Sequence, residues 1–353
     1  MRERTLPCRA AGVALEVPSF FSRLDFTRAA GWIVGLVAVL LCSAGCVSFS
    51  PAPLRGGPSA MAPTVVPLEH VPGISGTPFL RAVVNGRPGL FLLDTGATAT
   101  VVDRGFAEAL RLDRRPLGGL LVRTNVEGRL YRAQVDSFSI GDHDFTGFEV
   151  AVVDLSHFRK TTGRSLDGII GTNLLKRSPF LIDPGASTVT FGADPVFGPV
   201  LPLSGSGGRY FVDMESHGRT FTLLLDTGAT LTSLARRDFS RLAAASGIEP
   251  TMQSETILDI NRVSTSEFRL LRVDVRSARY RVSGLAIQEH DYNLLGMDFF
   301  AGLPVWIDLQ RRELRIQAAA TYPRNRPPRD QATGAGDEIR THDIHLGKVA
   351  LYH

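Results

Sequence analysis

Phe91-Leu92-Leu93-Asp94-Thr95-Gly96-Ala97-Thr98 returns later in the chain as Leu223-Leu224-Leu225-Asp226-Thr227-Gly228-Ala229-Thr230. The offset of 132 residues holds in the flanks, where Gly86 falls on Gly218, Arg87 on Arg219 and Leu110 on Leu242. A second block, Ile169-Ile170-Gly171-Thr172-Asn173-Leu174-Leu175, returns as Leu294-Leu295-Gly296-Met297-Asp298-Phe299-Phe300 at an offset of 125. Pro179 then falls on Pro304, Asp183 on Asp308 and Phe191 on Ile316 without a gap. A lone Asp-Thr-Gly arises by chance in roughly one protein in ten or twenty of this length. Two copies in matched surroundings do not, so the chain holds two copies of one supersecondary plan. The second copy is shorter by seven residues, all in its middle, where the hairpins or their flanking loops are expected to differ.

The 353 residues are 44% hydrophobic and 21% charged, with 35 Gly and 21 Pro, which suits two globular units and excludes wholesale disorder or a collagen-like repeat. The net charge is +4, and once residues 1–45 and 318–353 are set aside the body is nearly balanced. No basic stripe remains to follow a phosphate backbone, so no nucleic-acid partner is expected. Cys8, Cys42 and Cys46 all lie near the start, leaving the body without a disulfide, a thiol nucleophile or a cysteine metal site. No His-Glu-x-x-His occurs, so a zinc hydrolase has no support. His143, between Asp142 and Asp144, reads as a solvated hairpin turn rather than a metal ligand. No cofactor and no metal are expected.

Each copy reads as mostly β. Phe79–Val84, Leu90–Asp94, Phe148–Val153 and Phe180–Asp183 are short, apolar and rich in β-branched or aromatic residues, with Gly or Pro between them. A modest helix is expected after each Asp-Thr-Gly-Ala, at about 103–112 and 234–245, and a short one after Gly171 and Gly296. The long amphipathic helices of a parallel α/β sheet are missing.

In each copy an apolar strand ends in an acid, which delivers a carboxylate at the edge of a core. The Thr that follows can hydrogen-bond nearby, and the Gly lets backbone N–H groups approach the carboxylate. Pseudo-symmetric duplication can bring Asp94 and Asp226 face to face. Two carboxylates that close share a proton, so that one serves as base towards a water while the other polarises a carbonyl. Phosphoryl-acceptor aspartates need patterns such as Asp-x-Asp-x-Thr, which neither copy has. Asp183 and Asp308 also repeat, but each follows a buried strand and precedes a turn, which is a structural setting.

This sequence resembles the retropepsin-like aspartic proteases, whose signature is apolar-apolar-Asp-Thr-Gly-Ala followed later by apolar-apolar-Gly. The resemblance covers residues 76–192 and 208–317 and implies an all-β, bilobal protein of two tandem lobes. It implies that Asp94 and Asp226 are the catalytic dyad of an aspartic endopeptidase. Thr95 and Thr227 would brace the lobes, Gly96, Ala97, Gly228 and Ala229 would shape the catalytic loops, and Gly171 and Gly296 would support them from behind. Thr172 and Met297 stand where retroviral enzymes often carry an Arg used between subunits, which fits lobes joined covalently in a monomer. The family carries a flap over its cleft. In the first copy it would span 118–135, with Asn125, Val126, Glu127 and Gly128 near its tip; in the second it would span 253–270, with Asp259, Ile260 and Asn261 at the turn. Tyr131 reads as a cross-strand packing residue. Ala97 and Ala229 replace the Ser common in pepsins, which by the same resemblance implies an optimum at about pH 5–7. A peptide-binding module without catalysis, and a dyad paired between chains, stay open as alternatives.

Residues 31–42 form an apolar run too short for a full span, preceded by Arg23 and Arg28, which reads as an export signal. Ser43-Ala44-Gly45-Cys46 resembles a bacterial lipobox, which implies lipidation at Cys46 and a protein exported across the inner membrane, anchored to the membrane and facing the periplasm. The expected order is a signal segment 1–46, a tether 47–75, lobe 1 at 76–192, a linker 193–207, lobe 2 at 208–317 and a tail 318–353 outside the fold. The partners expected are a peptide or protein substrate and the membrane.

Overall fold

The computed structural model describes residues 62–74, 76–116, 131–258 and 263–317, together with His345–Leu346. Lobe 1 comprises β1 (Thr64–Pro67), β2 (Phe79–Val84), β3 (Arg87–Leu93), β4 (Val101–Asp103), α1 (Arg104–Ala109), β5 (Arg114–Pro116), β6 (Tyr131–Ile140), β7 (His143–Val153), α2 (Ser156–Thr162), β8 (Gly168–Ile170), α3 (Thr172–Leu175), β9 (Phe180–Asp183) and β10 (Thr188–Phe191). Lobe 2 follows with β11 (Val200–Pro202), β12 (Phe211–Ser216), β13 (Arg219–Leu225), β14 (Ser233–Ala235), α4 (Arg236–Ser246), β15 (Thr251–Leu258), β16 (Val263–Ser277), β17 (Tyr280–His290), β18 (Leu294–Leu295), a 3-10 turn (Met297–Phe300), β19 (Val305–Asp308) and β20 (Glu313–Ile316).

Local chemistry sets the hairpins. Asn85 and Gly86 join β2 to β3 with φ of 46° and 80°, and His217 and Gly218 join β12 to β13 with 46° and 69°. Two residues with positive φ make the tight turn whose twist matches the flanking strands. The Asn85 side chain also accepts bonds from the backbone N–H of Asp136 and Ser137, at 3.0 and 2.9 Å, which pins β6 beside this turn. In lobe 1 the strands run β2-β3-β8-β4-β7-β6, and β6 returns to β2 through Val83–Ser139 and Val84–Phe138, closing a six-stranded barrel. Lobe 2 repeats the order as β12-β13-β18-β14-β17-β16, closed where Glu215 meets Arg276. Phe91, Phe138 and Phe148 fill the lobe 1 core, with the Phe91 and Phe138 rings 5.2 Å apart edge to face. Burying each such ring is worth roughly 1.5–3 kcal/mol.

A third sheet joins the lobes in the order β1-β10-β9-β19-β20-β11. At its centre β9 and β19 run antiparallel, Phe180 opposite Ile307 and Ile182 opposite Val305, all fully buried. The arrangement is pseudo-two-fold, since β9 and β10 of lobe 1 correspond to β19 and β20 of lobe 2. Trp306 is buried beside this axis, its indole N–H donating to the Ala193 carbonyl at 2.8 Å.

Strand pairing locates the length difference between the copies. Asp103 lies opposite Val153 and Ala235 opposite His290, while Leu93 pairs with Ile170 and Leu225 with Leu295. From β7 into β8 lobe 1 takes seventeen residues, Val153 to Ile170, through the connection 154–167 that carries α2, where lobe 2 takes five, His290 to Leu295, and passes directly through 291–293. Across the hairpins lobe 2 is in turn the longer by five, 55 residues from Ala235 to His290 against 50 from Asp103 to Val153, so the net difference is seven and the hairpin regions do differ.

The expected strands and helices form close to their expected bounds. Two short segments add to them. The stretch read as a tether supplies β1, and the stretch read as a linker supplies β11, so both become edge strands of the sheet between the lobes. Their apolar residues are too few to announce a strand, and a ready edge recruits them. His345–Leu346, from the tail, pair in parallel with Ile257 and Leu258. His143 corrects the reading of a solvated turn. It does stand at the β6–β7 turn, but it is fully buried with its ring 5.9 Å from that of Phe191, and burial lowers its pKa. The turn folds onto the sheet between the lobes, a long-range contact that local polarity does not reveal. Asp183 and Asp308 cap turns: Asp183 accepts from the Ala186 N–H, and Asp308 from those of Gln310 and Arg311. Tyr131 packs against the core with the Arg114 guanidinium 5.8 Å from its ring.

Because Phe180 sits at the centre of the joining sheet, Phe180→Ala is expected to cost about 3–5 kcal/mol. Urea unfolding checks this, as a lower midpoint with an unchanged slope.

Candidate active site

Strands β3 and β13 are buried along Leu90–Leu93 and Leu223–Leu225, and each ends in its aspartate. The strand behind fixes where that acid lies. Asp94 N–H donates to the Ile170 carbonyl at 3.0 Å, and Asp226 N–H donates to the Leu295 carbonyl at 3.1 Å. Each of these strands runs into a glycine, and the glycine is forced by space. A Cβ on Gly171 would lie 2.4 Å from the Ala99 carbonyl oxygen, and one on Gly296 would lie 2.5 Å from the Leu231 carbonyl carbon.

Both aspartates are 1% exposed. Asp94 Oδ1 accepts from the N–H groups of Gly96 and Ala97 at 2.7 and 3.2 Å, and Asp226 Oδ1 accepts from those of Gly228 and Ala229 at 3.1 and 3.1 Å. The carboxyls also pack across the axis. A Cβ on Gly96 would meet the Asp226 carboxyl carbon at 2.6 Å, and one on Gly228 would meet that of Asp94 at 2.7 Å. Only glycine leaves the room in which each carboxyl crosses the other loop.

The threonines tie the two loops together. Thr95 Oγ1 donates to the Leu225 carbonyl and Thr227 Oγ1 to the Leu93 carbonyl, both at 2.8 Å. Each hydroxyl also accepts the backbone N–H of the other threonine, Thr95 N–H to Thr227 Oγ1 at 3.0 Å and Thr227 N–H to Thr95 Oγ1 at 3.1 Å. Four buried, reciprocal bonds thus cross between residues far apart in sequence.

Electrostatics follows from this crowding. Burial first, and then the neighbouring Asp226 charge, hold the Asp94 carboxyl well above the usual carboxylate range, against the opposing pull of the Gly96 and Ala97 bonds. The pair accordingly retains one proton where free carboxylates would have none, and it titrates as a unit. Such a pair can act as base and acid at once.

The repeat also contains a second pair of residues to which the sequence reading gave no role. Asn173 accepts from both the N–H and the hydroxyl of Thr100, and Asp298 accepts from both those of Thr232. Thr100 and Thr232 lie 132 apart, as the aspartates do, and that recurrence was the available signal. Of the segments read as flaps, the described part is the ladder from Arg114–Ala133 to Pro116–Tyr131 in lobe 1 and from Thr251–Leu270 to Leu258–Val263 in lobe 2. The tip residues Asn125, Val126, Glu127, Gly128, Asp259, Ile260 and Asn261, and also Cys46, lie outside the described residues. No group of three or more metal-ligating side chains occurs among the described residues.

The raised carboxyl has a thermodynamic consequence. A folded value above the unfolded one favours the protonated fold, so its stabilisation is full below about pH 4 and is lost as pH rises through the elevated folded value. Asp94→Asn removes that loss. It is expected to raise Tm at neutral pH by about 2–4 °C while leaving it unchanged or lower in acid, as read by thermal unfolding across pH.

Comparison with known proteins adds to this geometry. Residues 80–174 match the aspartyl protease family model, and residues 212–301 match the model of the gag-polyprotein aspartyl protease. No curated protein matches the chain. The two matches fall in tandem, one on each barrel and each spanning its own Asp-Thr-Gly-Ala loop and apolar-apolar-Gly strand, and the chain belongs to the retropepsin-like aspartic proteases as a two-lobed form.

Proposed function

We propose that this chain is an aspartic endopeptidase in which Asp94 and Asp226 activate a water against a peptide carbonyl. The observation that carries the reading is the crossed packing of the two buried carboxyls, each against the other loop's glycine. With one proton shared, the ionised carboxyl takes a proton from the water while the protonated one donates to the carbonyl oxygen. The water oxygen bonds to the carbonyl carbon, giving a tetrahedral intermediate. A proton then passes to the amide nitrogen, and the C–N bond breaks to release an amine and a carboxylic acid. The step needs only the two carboxyls and the water. Thr95 and Thr227 keep the carboxyls in register, and an extended peptide lies beneath the hairpins β5–β6 and β15–β16, held by main-chain bonds with alternate side chains in pockets.

We further propose that the protein is exported across a bacterial inner membrane and held there, facing the periplasm, by a lipid on Cys46. It would work as a monomer on peptide or protein substrates.

Cleavage of a mixed peptide library by the full-length chain, from about pH 3 to pH 8, tests the chemistry. Wild type is expected to cut, with Asp94→Asn and Asp226→Asn each reduced at least about 10³-fold, because the two carboxyls act as one catalytic unit. A folded wild type that binds peptides and cuts none would overturn the reading in favour of a binding module. For the anchor, Cys46→Ala is expected to abolish incorporation of labelled fatty acid and to move the protein from the membrane to the soluble fraction. Retention of the label would exclude Cys46 as its site.

A further inference from the structure

Behind the two aspartates lie braces of the same shape and different chemistry. In lobe 1 Asn173 Oδ1 accepts from Thr100 N–H and Thr100 Oγ1, both at 2.8 Å. In lobe 2 Asp298 Oδ1 accepts from Thr232 N–H and Thr232 Oγ1 at 2.8 and 2.7 Å. The surrounding backbone repeats as well. Thr172 N–H donates to the Ala97 carbonyl at 2.8 Å and Met297 N–H to that of Ala229 at 2.9 Å, while Asn173 N–H reaches Thr98 and Asp298 N–H reaches Thr230, at 3.2 and 3.1 Å. Gly171 and Gly296 donate to the Thr100 and Thr232 hydroxyls at 3.3 and 3.2 Å. What differs is one buried atom. Asn173 presents Nδ2 and Asp298 presents Oδ2, and neither has a hydrogen-bond partner among the described residues.

An amide in this place is neutral at every pH. A carboxyl is neutral only while protonated, and an ionised Oδ2 without a donor is strongly disfavoured when buried. Desolvation outweighs the Thr232 and backbone bonds and pushes the Asp298 carboxyl up to about 7. Below that value the braces are near-isosteres and both neutral. Above it a negative charge stands behind Asp226, and none stands behind Asp94.

Asp226 lies on the loop that Asp298 braces. On β17, which packs against the 3-10 turn, Tyr280 donates its hydroxyl to the Phe299 carbonyl, and burial raises its pKa, so it is neutral near pH 7. Farther along that strand Glu289 is engaged by Arg269 at 2.6 and 2.8 Å.

We propose that Asp298 is a positioning residue that makes the dyad electrostatically unequal, raising the pH at which Asp94 and Asp226 give up their last shared proton. The proposal rests on the reading of those two residues as the catalytic pair. A negative charge nearby disfavours a second one, so ionised Asp298 preserves the singly protonated dyad to higher pH. The coupling is reciprocal, and the dyad's charge delays Asp298 in turn.

The test compares wild type, Asp298→Asn and Asn173→Asp as full-length chains. Asp298→Asn keeps the Oδ1 acceptor for Thr232 and removes the charge. The alkaline limb of its kcat/KM profile is expected to move down by about half to one pH unit, and that of Asn173→Asp to move up by a similar amount. A brace that acts only mechanically leaves the limb of Asp298→Asn in place, and that result would overturn the proposal. Should Asp298→Asn not fold, an unmoved limb in Asn173→Asp overturns it equally. Carboxyl ¹³C NMR of the dyad reads the same coupling without turnover. If wild type proves inactive and the upper titration step still moves in Asp298→Asn, the peptidase reading falls and the coupling stands. If the step stays in place, the coupling falls whatever the activity.

Discussion

Two carboxyl groups buried against each other set the terms for this fold. Neither Asp94 nor Asp226 has significant access to water, so each must draw its stabilisation from fixed groups, and both draw it from N–H groups two and three residues ahead. Those donors are aimed only if the loop turns sharply, and the loop can approach the opposite carboxyl only if its third residue is glycine. The threonine between them then has one productive conformation, with its hydroxyl reaching across to the carbonyl that precedes the other aspartate. Removing the pair of carboxyls would leave these constraints without a reason.

Holding that geometry requires that the lobes neither slide nor separate. Four hydrogen bonds at the threonines cannot do this alone, since each contributes about 0.5–1.5 kcal/mol net. The six-stranded joining sheet supplies the rest. Its centre, where β9 meets β19, buries Phe180, Ile182, Val305 and Ile307 and is continuous with the core of both lobes. Because β1 and β11 close its edges, the chain entering lobe 1 and the chain crossing to lobe 2 are both built into the support of the dyad. The joint is therefore a packed core with side-chain teeth, and the two halves have little freedom to move as separate domains.

Much of this was legible in the sequence. Short apolar runs rich in β-branched or aromatic residues marked β2 and β9 to the residue, and the Leu-Leu-Asp-Thr-Gly-Ala repeat located both carboxyls, because a strand that must end in a buried acid carries an unmistakable pattern. What the sequence did not show was long-range. Three apolar or neutral residues at 64–66 and two at 200–201 carry no strand signal by themselves; they pair because an edge is waiting for them. His143 looks solvated among its acidic neighbours and is buried by a sheet made from residues about fifty positions away. The roles of Asn173 and Asp298 were hidden for a similar reason, since the threonines they hold lie some seventy residues upstream.

The places where the copies differ are as informative as the places where they agree. Lobe 1 inserts α2 between β7 and β8 and ties it down through Asp103, whose Oδ2 caps α1 while Oδ1 accepts from the Leu155 N–H at 2.8 Å. Lobe 2 has no such insertion, and Ala235 stands at the matching cap, with its N–H held instead by Asn293. A carboxyl faces Thr232 where an amide faces Thr100. In a homodimer each change would appear on both sides of the axis, because one sequence must serve both halves. Two ionisable groups would then stand behind the dyad, or none. Tandem fusion removes that restriction: the shared constraints on the aspartate loops persist, while the residues just behind them are free to become unlike. A single polypeptide can therefore give two chemically identical aspartates different surroundings, which a symmetric pair of chains cannot do without breaking its own symmetry.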